Sequence, residues 1–562
     1  MRQQIIREKY VEQQRWTFAV GQGLLHYEEI RVIPYGCRPI TIVYDAGSFS
    51  KRKNKNDTAY QSIEEVNSRL ARCNRTIDYL VLSHFHADHY NLMGRLLKNN
   101  KVRHFVAPLL TPKDNSVEIA ALAYKWFSDK RYSKGNEDGI RLIAALAERG
   151  TGGFCDELFR EYEKPDQFIY ITNESGRNDN DEPIIDVIPG ESDGNDRSQN
   201  EDSTKNGNGN SNTRIISHSR PILIADKNRY YPFWKMAFYC NTPGINPPKY
   251  WDAAKKELNN QLKVVLNKCS GNSDEIEKQF KEIFSKKTYL PYKDEDSSDT
   301  EKKRVKFKDV FGYANVNMTS LTMYSGYDLQ DTNLEIRTFL YPHPYRYWSI
   351  PRFELEHEVA NLLVHTARET SNKKRQSLTE SFTSESIRED ILAHLYPVSN
   401  LSYKPLHSER HKGNLYWDYV YRRSNTISQS YKQPFLERNF FWSWIGFGDM
   451  NFEDAAIADN LIKHFEKQGS LLGKVGCCLA PHHGSHNGFA TAKIPSRLEG
   501  AVCLISCDPN RVDFGHPRIE AVSSILKGGM LPILVSNQKQ TTFHEVLRWP
   551  FTTSRNQAKL TR

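Results

Sequence analysis

The run LVLSHFHADHYNLMG, from Leu80 to Gly94, places His84, His86, Asp88 and His89 within six positions, directly after a short apolar stretch. Two imidazoles two residues apart at the close of an extended segment project to the same side, so His84 and His86 can share one cation through their ring nitrogens. Asp88 and His89 turn the corner and can hold a second. Two cations about 3.5–4 Å apart can clamp the oxygens of a displacement, and this needs a carboxylate that bridges them. Asp449 ends the apolar run NFFWSWIGFGDMN, just after Gly448, and is the candidate bridge.

The surrounding segments predict an α/β layered domain. TAYQSIEEVNSRLAR spaces Ile63, Val66 and Leu70 along one helical face, TIDYLVLS reads as a buried strand leading into the His/Asp run, and HFVAP reads as the next strand. Further on, GKVGCCLAPHHGSHNGF reads as a strand ending in His482 and His483, and AVCLISCDPNRVDFGHP as a strand and loop ending at His516. Reactive groups in α/β layers gather where strands end, and here strand ends repeatedly deliver metal-type ligands. His482 and His483 are adjacent and so are not expected to point the same way. One is expected to ligate the second cation while the other supports it or faces substrate.

These motifs together resemble the metallo-β-lactamase superfamily, whose HxHxDH signature stands here as His84 to His89. AVGQG (Ala19 to Gly23) and YDAGS (Tyr44 to Ser48) look like the paired N-terminal strands of that fold. FGDM, APHHGS and FGHP look like later motifs of one branch, the competence-protein-type DNA-uptake nucleases and related hydrolases. The resemblance implies a four-layer αββα fold with long inserts and two divalent cations, Zn2+ or Mn2+. It makes Asp88, Asp449 and His516 catalytic, places Ser485, Asn317 and Ser320 against substrate, and gives Asp45 a supporting role beneath the ligands. Many members carry a third His for the first cation; here that region reads ANVNMTSLTMYSG, with Asn317 and Ser320 and no His. This matches the competence-type branch and leaves the first cation short of protein ligands.

The matching pieces cover roughly residues 16–110, 311–326 and 437–540 of a single domain spanning 16–540. Residues 173–212, rich in Asp, Asn, Gly and Ser, read as a disordered loop insert. Residues 245–310 read as a helical and charged insert ending in the linker KDEDSSDTEKKRVKFK, and 326–436 as a second insert that serves as a lid or docks a protein partner. The nine cysteines have no CxxC spacing, the N-terminal MRQQIIREKYVEQQRW lacks an apolar core, and no long apolar window occurs, so a cytoplasmic protein with reduced thiols and no membrane span is expected.

Imidazole and carboxylate ligands suit zinc, manganese or ferrous iron, and a cation-bound water is acidified until hydroxide serves as nucleophile. A metal-dependent hydrolase is therefore the expectation. The resemblance to DNA-uptake nucleases implies a phosphodiesterase or nuclease activity on nucleic acid; the net charge of +9 permits an anionic partner, and the basic runs KRKNK, KKRVKFK and KKR could meet phosphates. Hydrolysis of a small carbonyl compound (lactone, thioester or amide) is the alternative, as is a partner-regulated effector subunit of a bacterial defence system.

Overall fold

The computed structural model describes residues 10–33, 38–49, 57–112, 137–173, 183–188, 212–226, 232–241, 319–327, 443–485, 487–489, 493–499, 501–508 and 516–550, with short pieces at 115, 119, 122, 278, 289–292, 303–306 and 347–348. Along the chain these form β1 (Tyr10–Thr17), β2 (Gly23–Ile33), β3 (Ile40–Ser48), α1 (Thr58–Ala71), β4 (Thr76–Val81), α2 (Ala87–Tyr90), α3 (Met93–Leu97), β5 (Lys101–Pro108), α4 (Glu137–Leu158) and β6 (Gln167–Thr172). There follow β7 (Ile184–Ile188), β8 (Thr213–Ser217), β9 (Ile222–Asp226), β10 (Pro232–Cys240), a hairpin of β11 (Tyr289–Tyr292) and β12 (Lys303–Lys306), β13 (Leu321–Tyr327) and β14 (Tyr347–Trp348). The chain is completed by β15 (Ser443–Gly446), α5 (Ala455–Lys467), β16 (Val475–Leu479), α6 (Lys493–Arg497), β17 (Val502–Ser506), α7 (Ile519–Lys527), β18 (Leu531–Val535) and β19 (Phe543–Pro550).

The fold class is α/β, with two mixed sheets. One runs β14-β19-β1-β2-β3-β4-β5-β6-β8 and the other β18-β17-β16-β15-β13-β10-β9-β7. In the first, β3 to β8 are parallel neighbours while β19, β1, β2 and β3 alternate in direction. In the second, β15 to β18 run parallel. Parallel strands carry apolar residues on both faces because both are covered, and adjacent residues here divide between different cores. Trp444, Cys477 and Leu504 lie in a cluster between the two sheets, whereas their neighbours Ile445, Cys478 and Ile505 pack under α5 and α7. A third cluster joins the opposite face of the first sheet to α1, α3 and α4 through Ile63, Val66, Leu70, Met93, Leu96 and Phe154. Three cores therefore separate four layers: helices, sheet, sheet, helices.

Local chemistry sets the helix starts. Asp57 caps α1 by accepting from the Ala59 N–H at 2.9 Å, and Asp454 caps α5 by accepting from the Ala456 N–H at 2.8 Å. The cap of α5 is thus Asp454, which leaves Asp449 available for another role.

Several segments differ from the sequence reading. Residues 184–188, inside the polar tract read as a disordered loop, form β7 and pair in parallel with β9, because IIDVI is an apolar strand flanked by polar chain. Lys303–Lys306, read as charged linker, forms β12 against β11. AVGQG makes the turn between β1 and β2, where Gly21 has φ 71°, instead of a strand. Both sheets also draw strands from between residues 110 and 311, where the sequence matched nothing. Apart from residues 173, 183, 212 and 278, the rest of the 173–212 and 245–310 segments, and the 326–436 insert apart from Gly326, Tyr327 and β14, lie outside the described residues. No helix among the described residues is long and apolar enough to cross a membrane.

A buried polar group crosses the inter-sheet core. Arg15 on β1 stands opposite Glu28 on β2 and Glu545 on β19, and it forms an ion pair with Glu545 with both side chains fully buried. Glu28 accepts from Ser325 Oγ–H at 2.7 Å, and Ser325 Oγ accepts from the Trp234 indole N–H at 3.0 Å, which ties the first sheet to the second. Removing one member of a buried pair strands the other charge. Arg15→Met is expected to destabilise the fold by about 3–5 kcal/mol, and Arg15→Met with Glu545→Leu by clearly less. Chemical denaturation of the two variants checks both outcomes.

Candidate metal centre

The candidate ligands meet at the carboxyl ends of β4, β15 and β16, on the rim where the two sheets face each other. The close approach has a backbone requirement. A Cβ at Gly47 would collide with the Asp88 carbonyl and the His89 nitrogen, so only glycine lets α2 seat against β3. Gly448, at φ 55°, turns β15 so that Asp449 points into the rim, and the Asp449 N–H donates to the fully buried Ser320 Oγ at 3.1 Å.

Two groups of buried side chains are arranged so that each can hold a metal ion: His84, His86 and Asp449, and Asp88, His89 and His483. In the first, His84 Nε2 lies 2.9 Å from His86 Nδ1 and 3.3 Å from Asp449 Oδ2, and His86 Nδ1 lies 3.5 Å from that same oxygen. Donors around a tetrahedral ion with ligand bonds of ~2.0–2.1 Å stand about 3.3 Å apart. In the second, His483 Nε2 lies 3.2 Å from Asp88 Oδ2 and His89 Nε2 4.0 Å from Asp88 Oδ1. Asp449 serves both groups: Oδ2 faces the first, while Oδ1 lies 3.3 Å from His89 Nε2 and 3.7 Å from His483 Nε2.

Hydrogen bonds behind the rings fix which nitrogen faces inward. Ser83 donates to Asp45 through both its N–H (2.7 Å) and its Oγ–H (2.6 Å). With its proton so used, Ser83 Oγ accepts from His84 Nδ1–H at 2.9 Å. His89 Nδ1–H donates to Asp45 Oδ2 at 2.8 Å, and His483 Nδ1–H donates to the Ser506 carbonyl at 2.8 Å. Each of these three rings therefore turns Nε2 toward a carboxylate. His89 Nε2, His483 Nε2 and Asp449 Oδ1 are buried and make no hydrogen bond. Ring nitrogens and carboxylate oxygens that converge with so little solvent require positive charge among them, on an imidazolium or on a bound cation. The titration behaviour has the same origin. Burial opposes a charge on His89, but Asp449, Asp45 and Asp88 outweigh it and raise its pKa well above the ordinary imidazole range. Burial likewise opposes ionisation of Asp449, yet His482, His84 and His89 hold it well below the usual carboxylate range. Asp88 is held low against its burial by His89 and His483. The donor set fits a divalent cation, which would supply the missing positive charge.

The remaining candidates are distributed around this core. His482 and His483 both approach Asp449, His482 Nε2 at 3.8 Å from Oδ2 and His483 Nε2 at 3.7 Å from Oδ1, with their rings inclined at 63° to each other. The reason is two consecutive left-handed residues, φ 48° and 55°, in the turn after β16, with the His482 N–H bonded to the Gly448 carbonyl at 2.9 Å. His483 belongs to the second group, while His482 remains a quarter exposed. The His516 ring centroid is 5.3 Å from that of His482, and burial together with His482 and His483 pushes its pKa well down. Ser485 is buried and its Oγ makes no hydrogen bond. Asn317 lies outside the described residues. Asp45, itself left-handed at φ 58°, accepts from the Ser83 N–H and from His89 Nδ1–H behind the candidate ligands. Ser83 and the Ser506 carbonyl were not anticipated. The only sequence signal for Ser83 is its place beside His84, and the Ser506 carbonyl has none.

No protein-family model matches the chain, and no curated protein is significantly similar to it.

Zn2+ or Mn2+ added to chelator-treated protein is expected to raise the unfolding temperature, with about 2.7 kcal/mol of stabilisation at a hundredfold excess over Kd. Ser83→Ala, which releases His84 and Asp45, is expected to weaken metal affinity about 10–100-fold. Thermal melts and calorimetric titration measure both.

Proposed function

We propose that the protein is a hydrolase of the metallo-β-lactamase type that works with two divalent cations, Zn2+ or Mn2+, and cleaves phosphodiester bonds in nucleic acid. The observation that carries this reading is the position of Asp449, one oxygen toward each His/Asp group. The helix-sheet-sheet-helix layering, with the ligands at strand ends on its rim, supports the αββα assignment, and the motif order HxHxDH, FGDM, APHHGS and FGHP supports the competence-type branch. The net charge of +9 favours a polyanionic substrate. The cysteines among the described residues are buried and unbridged, which supports a cytoplasmic setting.

His84, His86 and Asp449 would hold one cation and Asp88, His89, His483 and Asp449 the other; such a pair, when bound, would supply polarisation of a phosphoryl oxygen and acidification of water. The protein's share is orientation. Asp45, Ser83 and the Ser506 carbonyl lock three imidazoles, so the donor set is in place before substrate arrives. His516, kept neutral, is suited to accept a proton at a ring nitrogen.

Asp88→Ala and Asp449→Ala are each expected to lower cleavage of linear, circular or single-stranded DNA, assayed with added Mn2+ or Zn2+, by about 10²–10³-fold or more. Unchanged cleavage in both variants overturns the mechanism. Wild-type turnover of a p-nitrophenyl ester but not of bis(p-nitrophenyl) phosphate moves the substrate to the carbonyl class.

A further inference from the structure

The two halves of the site are unequal. Through Asp449 Oδ1 the second group has four protein donors, Asp88, His89, His483 and Asp449, all buried. The first has three, His84, His86 and Asp449 Oδ2. Among the described residues, β13 and the two residues before it, Thr319 and Ser320, contain no histidine, and Ser320 Oγ accepts from the Asp449 N–H. A cation held by three protein donors in a four-coordinate site keeps one open position, and one held by four takes a further ligand only by becoming five-coordinate, as catalytic zinc can.

We propose that His482 is the fourth protein donor of the first centre, through Nε2. This rests on the binuclear reading above. Three observations carry it. First, His482 Nε2 lies 3.8 Å from Asp449 Oδ2, the oxygen that His84 and His86 also face, although it stands outside the 4.8 Å within which the donors of His84, His86 and Asp449 lie of one another. Second, the turn that carries it is anchored by its own N–H to the Gly448 carbonyl, one residue from the bridge, so its position is tied to that of Asp449. Third, the backbone at His482 and His483 is left-handed at both residues, a conformation costing about 1–3 kcal/mol each in residues other than glycine. In this turn each ring presents Nε2 to one oxygen of Asp449, His482 at 3.8 Å from Oδ2 and His483 at 3.7 Å from Oδ1. One dipeptide thereby serves both centres, and the imidazole that many metallo-β-lactamases draw from another strand comes here from the turn after β16.

The partial exposure of His482 gives the two centres different accessibility. A second centre closed by buried ligands is expected to exchange its cation slowly, while the first, reached past His482, exchanges faster.

The test is metal stoichiometry and Co2+ spectroscopy on the full chain. His482→Asn is the main variant, because asparagine tolerates the left-handed backbone while its short side chain does not reach the centre; His482→Ala is the second, and thermal melts confirm that each folds. Wild-type protein dialysed against Zn2+ is expected to retain two equivalents. His482→Asn should retain one tightly and bind the other roughly tenfold or more weakly, with a changed Co2+ visible absorption, since loss of even a supporting group costs that much. Two equivalents with unaltered affinity and spectrum in both variants overturn the proposal, and if turnover is lost nonetheless His482 acts on substrate instead. Wild-type protein that retains no divalent metal overturns the binuclear reading itself, a distinct result.

Discussion

A carboxylate buried between two sets of imidazoles is tolerable only with positive charge on both sides of it, and Asp449 is such a group. With Asp45 and Asp88 it places three carboxylates in a rim almost without solvent. Burial raises the cost of each ionised group, so their attraction to cations is strong and their separation from them expensive. The histidines answer part of this demand, as the upward shift of His89 records. Their remaining inward lone pairs define where further positive charge belongs.

The arrangement depends on both sheets. His84, His86, Asp88 and His89 follow β4 of the first, whereas Asp449, His482 and His483 follow β15 and β16 of the second. The two halves meet only if the sheets are held in one relative position. The inter-sheet core supplies the bulk of that, and directional contacts supply the register. The Tyr44 hydroxyl donates to the Leu321 carbonyl at 2.8 Å, and the Trp234–Ser325–Glu28 chain crosses the same gap beside the buried Arg15–Glu545 pair. Apolar packing is nondirectional, so polar bonds of this kind are what align one rim with the other.

Beneath the ligands, Asp45 and Ser83 act as one hub for both groups. Ser83 meets His84 of the first while Asp45 meets His89 of the second. Loosening either residue therefore disturbs two sets of donors, which explains why a left-handed aspartate persists in the middle of the site.

The candidate ligand types were legible in the chain because metal chemistry restricts such donors to a few side chains, and because a strand followed by a sharp turn fixes which way closely spaced residues point. His84 to His89 fall in that category, as do α1, β4, β5 and the α/β class, whose periodicities are local. Other features were hidden by distance or by backbone angle. Nothing in IIDVI reveals that it pairs with a strand beyond a polar tract, since pairing across such a gap is a nonlocal choice. Nor does the dipeptide His482–His483 show that both rings turn inward, because that follows from two left-handed residues stabilised by the Gly448 carbonyl. The sequence by itself determined the donor types, the local elements and the layered class. Tertiary structure alone decided that Asp449 offers one oxygen to each group and that His483 rather than His482 joins the second, because those facts depend on how two sheets, folded from distant segments, pack face to face.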